Sequence, residues 1–262
     1  MNILVCMKQV PGTSKVEIDP ETGVLKRAGV DSKMNPYDLY ALETALRLKE
    51  QHGGKVTAIT MGPPQAEQIL REAYSMGADE GVLITDRRFG GADVLATSYT
   101  LAQGIRKAGS FDIILCGQQT TDGDTAQVGP EISEWLGIPS VSWVKRILDS
   151  DGSSLTIEME MPDCVEVAKL PYPCLITVEK DIFMPRLPSY RKKTESGGRP
   201  VRKLALDDMD DKDETHYGLN GSPTQVQRIF PPETDREQEI WGGDGADLAD
   251  RLFGKLRDLK FV

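Results

Sequence analysis

Apolar residues lie along the first 145 positions in two alternating patterns. Short continuous runs at Ile3–Met7, Val56–Met61, Gly81–Thr85, Asp112–Cys116 and Ser140–Val144 read as strands buried on both sides. The segments between them change to helical spacing. In the first, Leu39, Leu42 and Leu46 recur on one face, Pro36 suits the first helical position and Asn35 can cap it. The second carries Ile69, Leu70, Ala73 and Met76 and stops at Gly77, which suits a left-handed C-cap. The third carries Val94, Leu95, Leu101, Ala102 and Ile105 and stops near Gly109. Strand and helix in alternation, with strands apolar throughout, predict an α/β fold: a parallel sheet with helices on both faces.

Past position 150 the pattern changes. Ser154–Glu160 and Cys164–Lys169 read as a small β-hairpin, and Cys174–Glu179 as another strand, so residues 1–182 are expected to form one domain. Residues 183–262 are different. Arg186, Arg191, Lys192, Lys193, Arg199, Arg202 and Lys203 lie among prolines and glycines, and "DDMDDKDE" at 207–214 is acidic. Neither stretch shows an apolar face of its own, so each reads as a flexible tail or as an arm ordered by a partner. Helical spacing returns at 245–259 through Leu248, Leu252, Leu256 and Leu259. That stripe is too short to make a domain, which implies a partner subunit to cover it.

Composition narrows the function. A formal charge of −10 disfavours nucleic acid as a partner. No apolar run is long enough to cross a bilayer, and "MNILVCMKQV" lacks the long apolar core of a signal peptide, so it reads as the first strand of a cytoplasmic protein. Cys6, Cys116, Cys164 and Cys174 share no CxxC spacing, and His52 and His216 are the only imidazoles. No metal site, disulfide scaffold or His-based triad is expected from them, and any chemistry must come from a cofactor.

In open parallel sheets ligands sit beyond the carboxyl ends of the strands. Four polar turns follow strands here: "KQVPGT" from Lys8, "MGPP" from Met61, "DRRFGGADVLAT" from Asp86 and "GQQTTDGDTAQVGPE" from Gly117. In the last, Gly117 and Gly123 allow close backbone approach and Thr120, Thr121 and Thr125 offer hydroxyls. The following helix directs free N–H groups and a positive dipole end at whatever lies there. The turn reads as a phosphate and ribose cradle or as a solvated turn. Asp122 and Asp124 would be repelled by a pyrophosphate, so they are expected to face ribose hydroxyls or cap the helix, which begins near Thr125 or at Pro130. There is no GxGxxG and no P-loop lysine. Asp93, after Gly90 and Gly91, can cap the third helix with no ligand at all.

"KQVP", "MNPYDLYALETALRLKE", "MGPPQAEQILREAYSMGAD", "GADVLAT" and "CGQQTTDGDTAQVGPEISEWLGIP", in this order and spacing, resemble the β subunit of electron transfer flavoproteins over nearly the whole chain. The last two blocks resemble in particular the electron-bifurcating branch of anaerobic bacteria. The resemblance implies a Rossmann-like, adenine-nucleotide-binding domain paired with an α subunit that holds its own FAD. Conventional β subunits bind AMP here; in the bifurcating branch the adenosine part of a second FAD takes that place. Carried onto this sequence, the nucleotide would meet Cys6, Asn35, Met61, Gly117, Gln118, Gln119, Thr120, Thr121, Asp122, Gly123, Asp124, Thr125, Ala126, Gln127 and Val128, with Thr97 near the phosphates. The turn of Gly90, Gly91, Ala92 and Asp93 matches the segment associated with NAD(H). Val94 stands where the family usually has threonine, which removes one hydroxyl from the phosphate side.

Residues 181–193, "DIFMPRLPSYRKK", match the loop that grips acyl-CoA-type or other flavin dehydrogenases, with Tyr190 near the usual leucine anchor, or they form a solvated basic loop. Residues 200–240 would wrap the α subunit. The implied chemistry is hydride uptake from NADH by FAD, with one electron passing through the α-subunit FAD to the dehydrogenase and the other to ferredoxin. No side chain of this chain need act as an acid or base. Two further readings are a conventional AMP-holding electron carrier and a stress-type sensor of AMP or ATP. The arm and the basic loop speak against the sensor, which would not need so much chain that cannot bury itself.

Overall fold

A computed structural model of the chain describes residues 1–12, 32–227 and 238–262. In chain order the elements are β1 (Asn2–Cys6), β2 (Gln9–Pro11), β3 (Ser32–Met34), α1 (Pro36–His52), β4 (Lys55–Met61), α2 (Glu67–Met76), β5 (Glu80–Ile84), α3 (Val94–Ala108), β6 (Ile113–Gly117) and α4 (Val128–Leu136). They continue with β7 (Ser140–Ser150), β8 (Ser154–Glu160), β9 (Val165–Pro171), β10 (Cys174–Val178), α5 (Tyr190–Glu195), β11 (Val201–Leu204) and α6 (Gly245–Asp258). No helix among the described residues is long and apolar enough to cross a membrane.

Nine strands form one sheet in the order β11-β5-β4-β1-β6-β10-β7-β8-β9. The first seven of that order run parallel to their neighbours, and β8 and β9 continue the edge as an antiparallel hairpin. The α/β expectation therefore holds, with the hairpin where the sequence put it. Side chains alternate across each strand, so β1 sends Ile3 and Val5 to the core under α1 and α2, and Leu4 and Cys6 to the core under α3 and α4. Each such Ile or Leu contributes roughly 1.5–3 kcal/mol of burial free energy, so the continuous apolar strands belong in the middle of the sheet.

The chain starts in the middle of the sheet, at β1, builds outward through β4 and β5, then crosses over α3 to reach β6 on the opposite flank of β1. That reversal between β1 and β6 leaves a crevice at their carboxyl ends.

Three details differ from the sequence reading. Asn35 stands before α1, but its side chain makes no cap bond, because its amide is committed to the loop after β6. The fourth helix begins at Val128, between the two starts considered, with Gln127 before it. The third detail is the stretch after 200, which the sequence pattern left without an apolar face. There β11 pairs in parallel with β5, and Leu204, Leu206, Met209 and Tyr217 are buried in the core under α3 and α4. The sequence hides this because the apolar run Leu204–Leu206 is short and flanked by charges, Met209 and Tyr217 stand apart from it, and only pairing with the β5 edge brings them to one side. Thr13 of the first turn and residues 228–237 of the expected arm lie outside the described residues.

Candidate functional site

Gly117 ends β6 against the first turn of α1. A Cβ there would lie 2.5 Å from Asp38 Oδ1 and 2.7 Å from the Tyr37 carbonyl carbon, so only glycine lets the backbone pass this close. The loop that follows is stapled to α1 by Asn35, whose Nδ2 donates to Gln119 O at 2.8 Å and to Asp38 Oδ1 at 3.0 Å. The amide of Thr121 donates back to Asn35 Oδ1 at 3.3 Å. From the other side of the crevice, the Lys8 amide donates to Asp38 Oδ2 at 2.7 Å, while Lys8 Nζ reaches Asp122 Oδ1 at 2.7 Å. The loops after β1 and β6 are thus tied to each other through one buried and one exposed carboxylate.

The two carboxylates respond in opposite senses. Burial pushes Asp38 up to about 7 against the opposing pull of the Lys8 amide, the Asn35 amide, the Lys8 charge and the Gly117 amide. Asp122 is also raised by burial, but its hydrogen bond and charge contact with Lys8, with help from Thr120 and the Gly123 amide, outweigh this and lower it.

Beyond Gly123, whose amide donates to Asp122 Oδ1 at 2.8 Å, the chain passes through left-handed backbone at Asp124 (φ 53°) and Ala126 (φ 56°) before α4 begins. Left-handed alanine costs energy that the rest of the structure must offset. Gly129, where a Cβ would lie 2.6 Å from Thr177 Cγ2, sets the first turn of α4 down on the sheet. No side chain caps this helix, so the amides of Val128 and Gly129 stand at its positive end without a side-chain acceptor. The side chains of Thr121 and Thr125 are exposed, and among the described residues their hydroxyls have no hydrogen-bond partner. Free main-chain donors, hydroxyls and one cation are the set that takes a nucleotide's phosphates and ribose. The residues present therefore fit such a group.

Cys6 belongs to the same crevice. The register that pairs Val5 with Leu115 brings Cys6 beside Cys116, and the Cys6 contact, with burial, raises the Cys116 thiol. Met61 ends β4, the neighbouring strand, and is half-buried at the same edge of the sheet. The structure thus brings together Cys6, Asn35 and the whole run from Gly117, Gln118 and Gln119 to Val128, with Met61 one strand away.

The turn after β5 is built differently. Asp93 caps α3 by accepting from the Ala96 amide at 3.1 Å, as its sequence position suggested, and also accepts from Thr224 Oγ1 at 2.7 Å and the Thr224 amide at 3.0 Å. Burial raises Asp93, but these donors more than offset it and the net shift is downward. The Leu219 amide donates to Gly90 O at 3.0 Å, Leu219 packs on Gly91, and Ser222 Oγ accepts from the Asp93 amide at 2.8 Å. Ala92 and Thr97 are half-buried beside them, with the Thr97 amide bonded to Asp93 O. The chain's own residues 217–224 satisfy this turn.

Two residues that shape the cradle escaped sequence reasoning: Asp38 and the side chain of Lys8. An acidic residue in the first turn of a helix is expected on dipole grounds alone, so nothing in "NPYD" announces that Asp38 turns inward.

A doubly wound α/β protein with a polar cradle at its switch point belongs to the class whose ligands bind at the strand tips. Residues 22–209 match the family model described as "Electron transfer flavoprotein domain". The chain is 46% identical over 262 residues to the electron transfer flavoprotein subunit beta of Clostridium acetobutylicum, covering all of both chains. It is also 46% identical over 257 residues to the subunit of the same name in Thermoanaerobacterium thermosaccharolyticum, covering 98% of each. It is 44% identical over 264 residues to the Caffeyl-CoA reductase-Etf complex subunit CarD of Acetobacterium woodii, covering all of both. The chain belongs to the electron transfer flavoprotein family, in its β-subunit class, and its work is electron transfer.

Proposed function

We propose that this chain is the β subunit of an electron-bifurcating electron transfer flavoprotein, working in the cytoplasm with an α subunit, ferredoxin and an acyl-CoA-type or other flavin dehydrogenase. In this reading FAD lies across the tips of β1 and β6. The observation that carries it is the α4 N-terminus, reached through two left-handed residues and left without a side-chain cap beside Gly117. Bound there, FAD would supply hydride uptake from NADH and release of single electrons.

The protein's own share is binding and placement. Val128 and Gly129 would donate to the diphosphate, Thr121 and Thr125 to phosphate or ribose oxygens, and Asp122, held by Lys8, would accept from ribose hydroxyls. Cys6, Cys116 and Met61 would form the floor near the adenosine. The turn of Gly90, Gly91, Ala92 and Asp93, braced by residues 217–224, would border the side from which NAD(H) approaches. Val94, which has no hydroxyl, would leave the phosphate side to main-chain donors.

The loop at 181–193 would meet the dehydrogenase. Arg186 pins its base to α1 by donating to Glu43 Oε2 at 2.8 Å and Glu50 Oε1 at 2.6 Å, and Ser189 is tied by its amide to Ser75 O. From that fixed base Met184, Leu187 and Tyr190 stand 78%, 87% and 86% exposed. Tyr190, near the position of the family's usual leucine anchor, and Leu187 would be the contacts offered to the dehydrogenase. The stripe of α6, with Leu252 and Phe253 exposed and Leu259 exposed just past its end, would be covered by the α subunit, whereas residues 201–224 of the expected arm pack on this chain's own sheet.

A conventional carrier that holds AMP in the same cradle is the second reading, since the donor set suits AMP as well as FAD. The name of the Acetobacterium woodii relative, which places it in a reductase complex, favours the first. Cofactor counting on the purified αβ pair separates them. Two FAD, bleached by NADH, support bifurcation, and one FAD with AMP supports the carrier. Replacing Thr125→Ala or Asp122→Asn is expected to lower β-site FAD occupancy by about tenfold while the α-site flavin stays bound, on the order of one to two lost polar contacts. Unchanged occupancy in both variants would overturn the cradle.

A further inference from the structure

We propose that Asp38 is the positioning residue of the cradle: its ionised carboxylate holds the loops after β1 and β6 at the spacing that a bound nucleotide requires. This rests on the nucleotide reading above. Asp38 is 4% exposed, and a buried carboxylate is costly to the fold, so stability alone gives no reason for it. Its surroundings give one. It accepts from the Lys8 amide at 2.7 Å and from Asn35 Nδ2 at 3.0 Å, and its Oδ1 lies against Gly117, where a Cβ would come within 2.5 Å of it. These three contacts come from the loop after β1, the entry to α1 and the end of β6, and all three segments border the crevice. Asn35 then carries the constraint outward, through Gln119 O and the Thr121 amide, to the middle of the cradle loop.

The protonation state decides whether this hub closes. An ionised carboxylate can accept from the Lys8 amide and Asn35 Nδ2 at once. A protonated one must direct its own O–H at an acceptor: the Lys8 amide cannot accept, and Asn35 can do so only by turning its Oδ1 inward, which releases Gln119 O and the Thr121 amide. Protonation therefore breaks at least one link between the loops. The other charged or titratable groups around Asp38 are the Lys8 ammonium and, beyond it, Asp122; the Cys6 and Cys116 thiols on β1 and β6; and Tyr37 beside it on α1. Of these only Lys8 is positive, and burial keeps Asp38 near 7, so both forms are populated at neutral pH. The sign for the empty chain follows: Asp38 is raised, so its contribution to stability is present below about 4 and is lost as pH rises to about 7. Binding that needs the ionised form draws its pKa back down, so affinity strengthens with rising pH over the upper part of that interval.

The test measures FAD affinity of the full chain by calorimetry between pH 6 and pH 8. FAD is the probe because its diphosphate is a diester, whereas a phosphate monoester such as AMP itself titrates near about 6. Wild type is expected to bind about fivefold more tightly at pH 8 than at pH 6, the change that a one-unit fall from about 7 gives over that interval. Asp38→Asn is expected to bind about tenfold more weakly at pH 8 and to respond to pH by less than about twofold. A role in folding alone predicts weaker binding with the pH response intact. As a second readout, the carboxyl carbon resonance of Asp38 in the wild-type chain is expected to titrate about one unit lower once FAD is added. A flat wild-type profile, tighter binding at pH 6, a pH response retained in Asp38→Asn, or an Asp38 titration that FAD does not move overturns this proposal alone. Failure of wild type to bind FAD at any pH overturns the cradle reading, and this proposal with it.

Discussion

The turns after β5 and β6 look alike in sequence: each carries glycines and an aspartate and leads from a strand into a helix at the same edge of the sheet. Their hydrogen bonds make them opposites. After β5, Asp93 caps its helix, and Leu219, Ser222 and Thr224 bond Gly90 O, the Asp93 amide and the Asp93 carboxylate. After β6, no side chain caps the helix, and the exposed hydroxyls of Thr121 and Thr125 are unmatched among the described residues. The first turn is bonded by its own chain, and the second keeps unmatched donors among the described residues, which the nucleotide proposed above would take up. A glycine-rich turn signals close approach, and only its satisfied or unsatisfied donors tell what approaches.

The contrast can be broken at either turn, and the largest effect is expected at the self-completed one. Gly218 has φ 55°, and a Cβ there would lie 2.0 Å from Arg88 O, so Gly218→Ala must displace the arm from the β5 turn. We expect about 3 kcal/mol of destabilisation in denaturant unfolding, from strain and overpacking together. FAD affinity of the chain that remains folded should stay within about twofold of wild type. Strong loss of FAD in this variant would show that the two turns act as one site.

A smaller effect on stability, but a larger one on binding, is expected at the β6 turn. Gly117→Ala drives a methyl into Asp38 and Tyr37, costing about 1–3 kcal/mol, and should weaken FAD binding by at least about tenfold. Normal FAD affinity in a folded Gly117→Ala chain would remove the close approach from the account.

The smallest expected effect concerns pH at the arm. Asp211 accepts from Tyr99 Oη at 2.6 Å and contacts His216 Nδ1 at 2.6 Å. The Tyr99 hydroxyl, then the Asp213 amide and His216, lower Asp211 to about 2, while Asp211 raises His216. A lowered acid contributes stability that is present above about 4 and is lost as pH falls towards 2. A raised histidine contributes below its ordinary 6.5 and loses that contribution as pH rises through its folded value. Protection of the amides at residues 211–217 relative to their intrinsic exchange rates should therefore be greatest between about pH 4 and 6.5, and the loop after β6 should not share that profile. The two carboxylates then separate the regions once more: Asp211 acts in acid, and Asp38 acts near neutrality.

Much of this molecule could be read before any coordinates. Continuous apolar strands alternating with one-faced helices determined the parallel sheet, because only a strand covered on both sides can be apolar at every position. Gly117, Gly123 and the threonines marked the polar loop at the tip of β6, and "GADLADRLFGKLRDL" marked a helix whose stripe no part of the described chain buries. Tertiary structure alone decided the rest. Val201–Leu204 became a strand because the β5 edge offered unpaired backbone groups, a property of the assembled sheet that four residues cannot announce. Asn35 gave up its capping role because folding brought Gln119 and Asp38 within its reach across 84 and 3 residues of chain. Asp38 became a buried hub for the same reason. Local sequence encodes propensity and periodicity, but hydrogen-bond partners distant along the chain exist only after the chain has closed on itself.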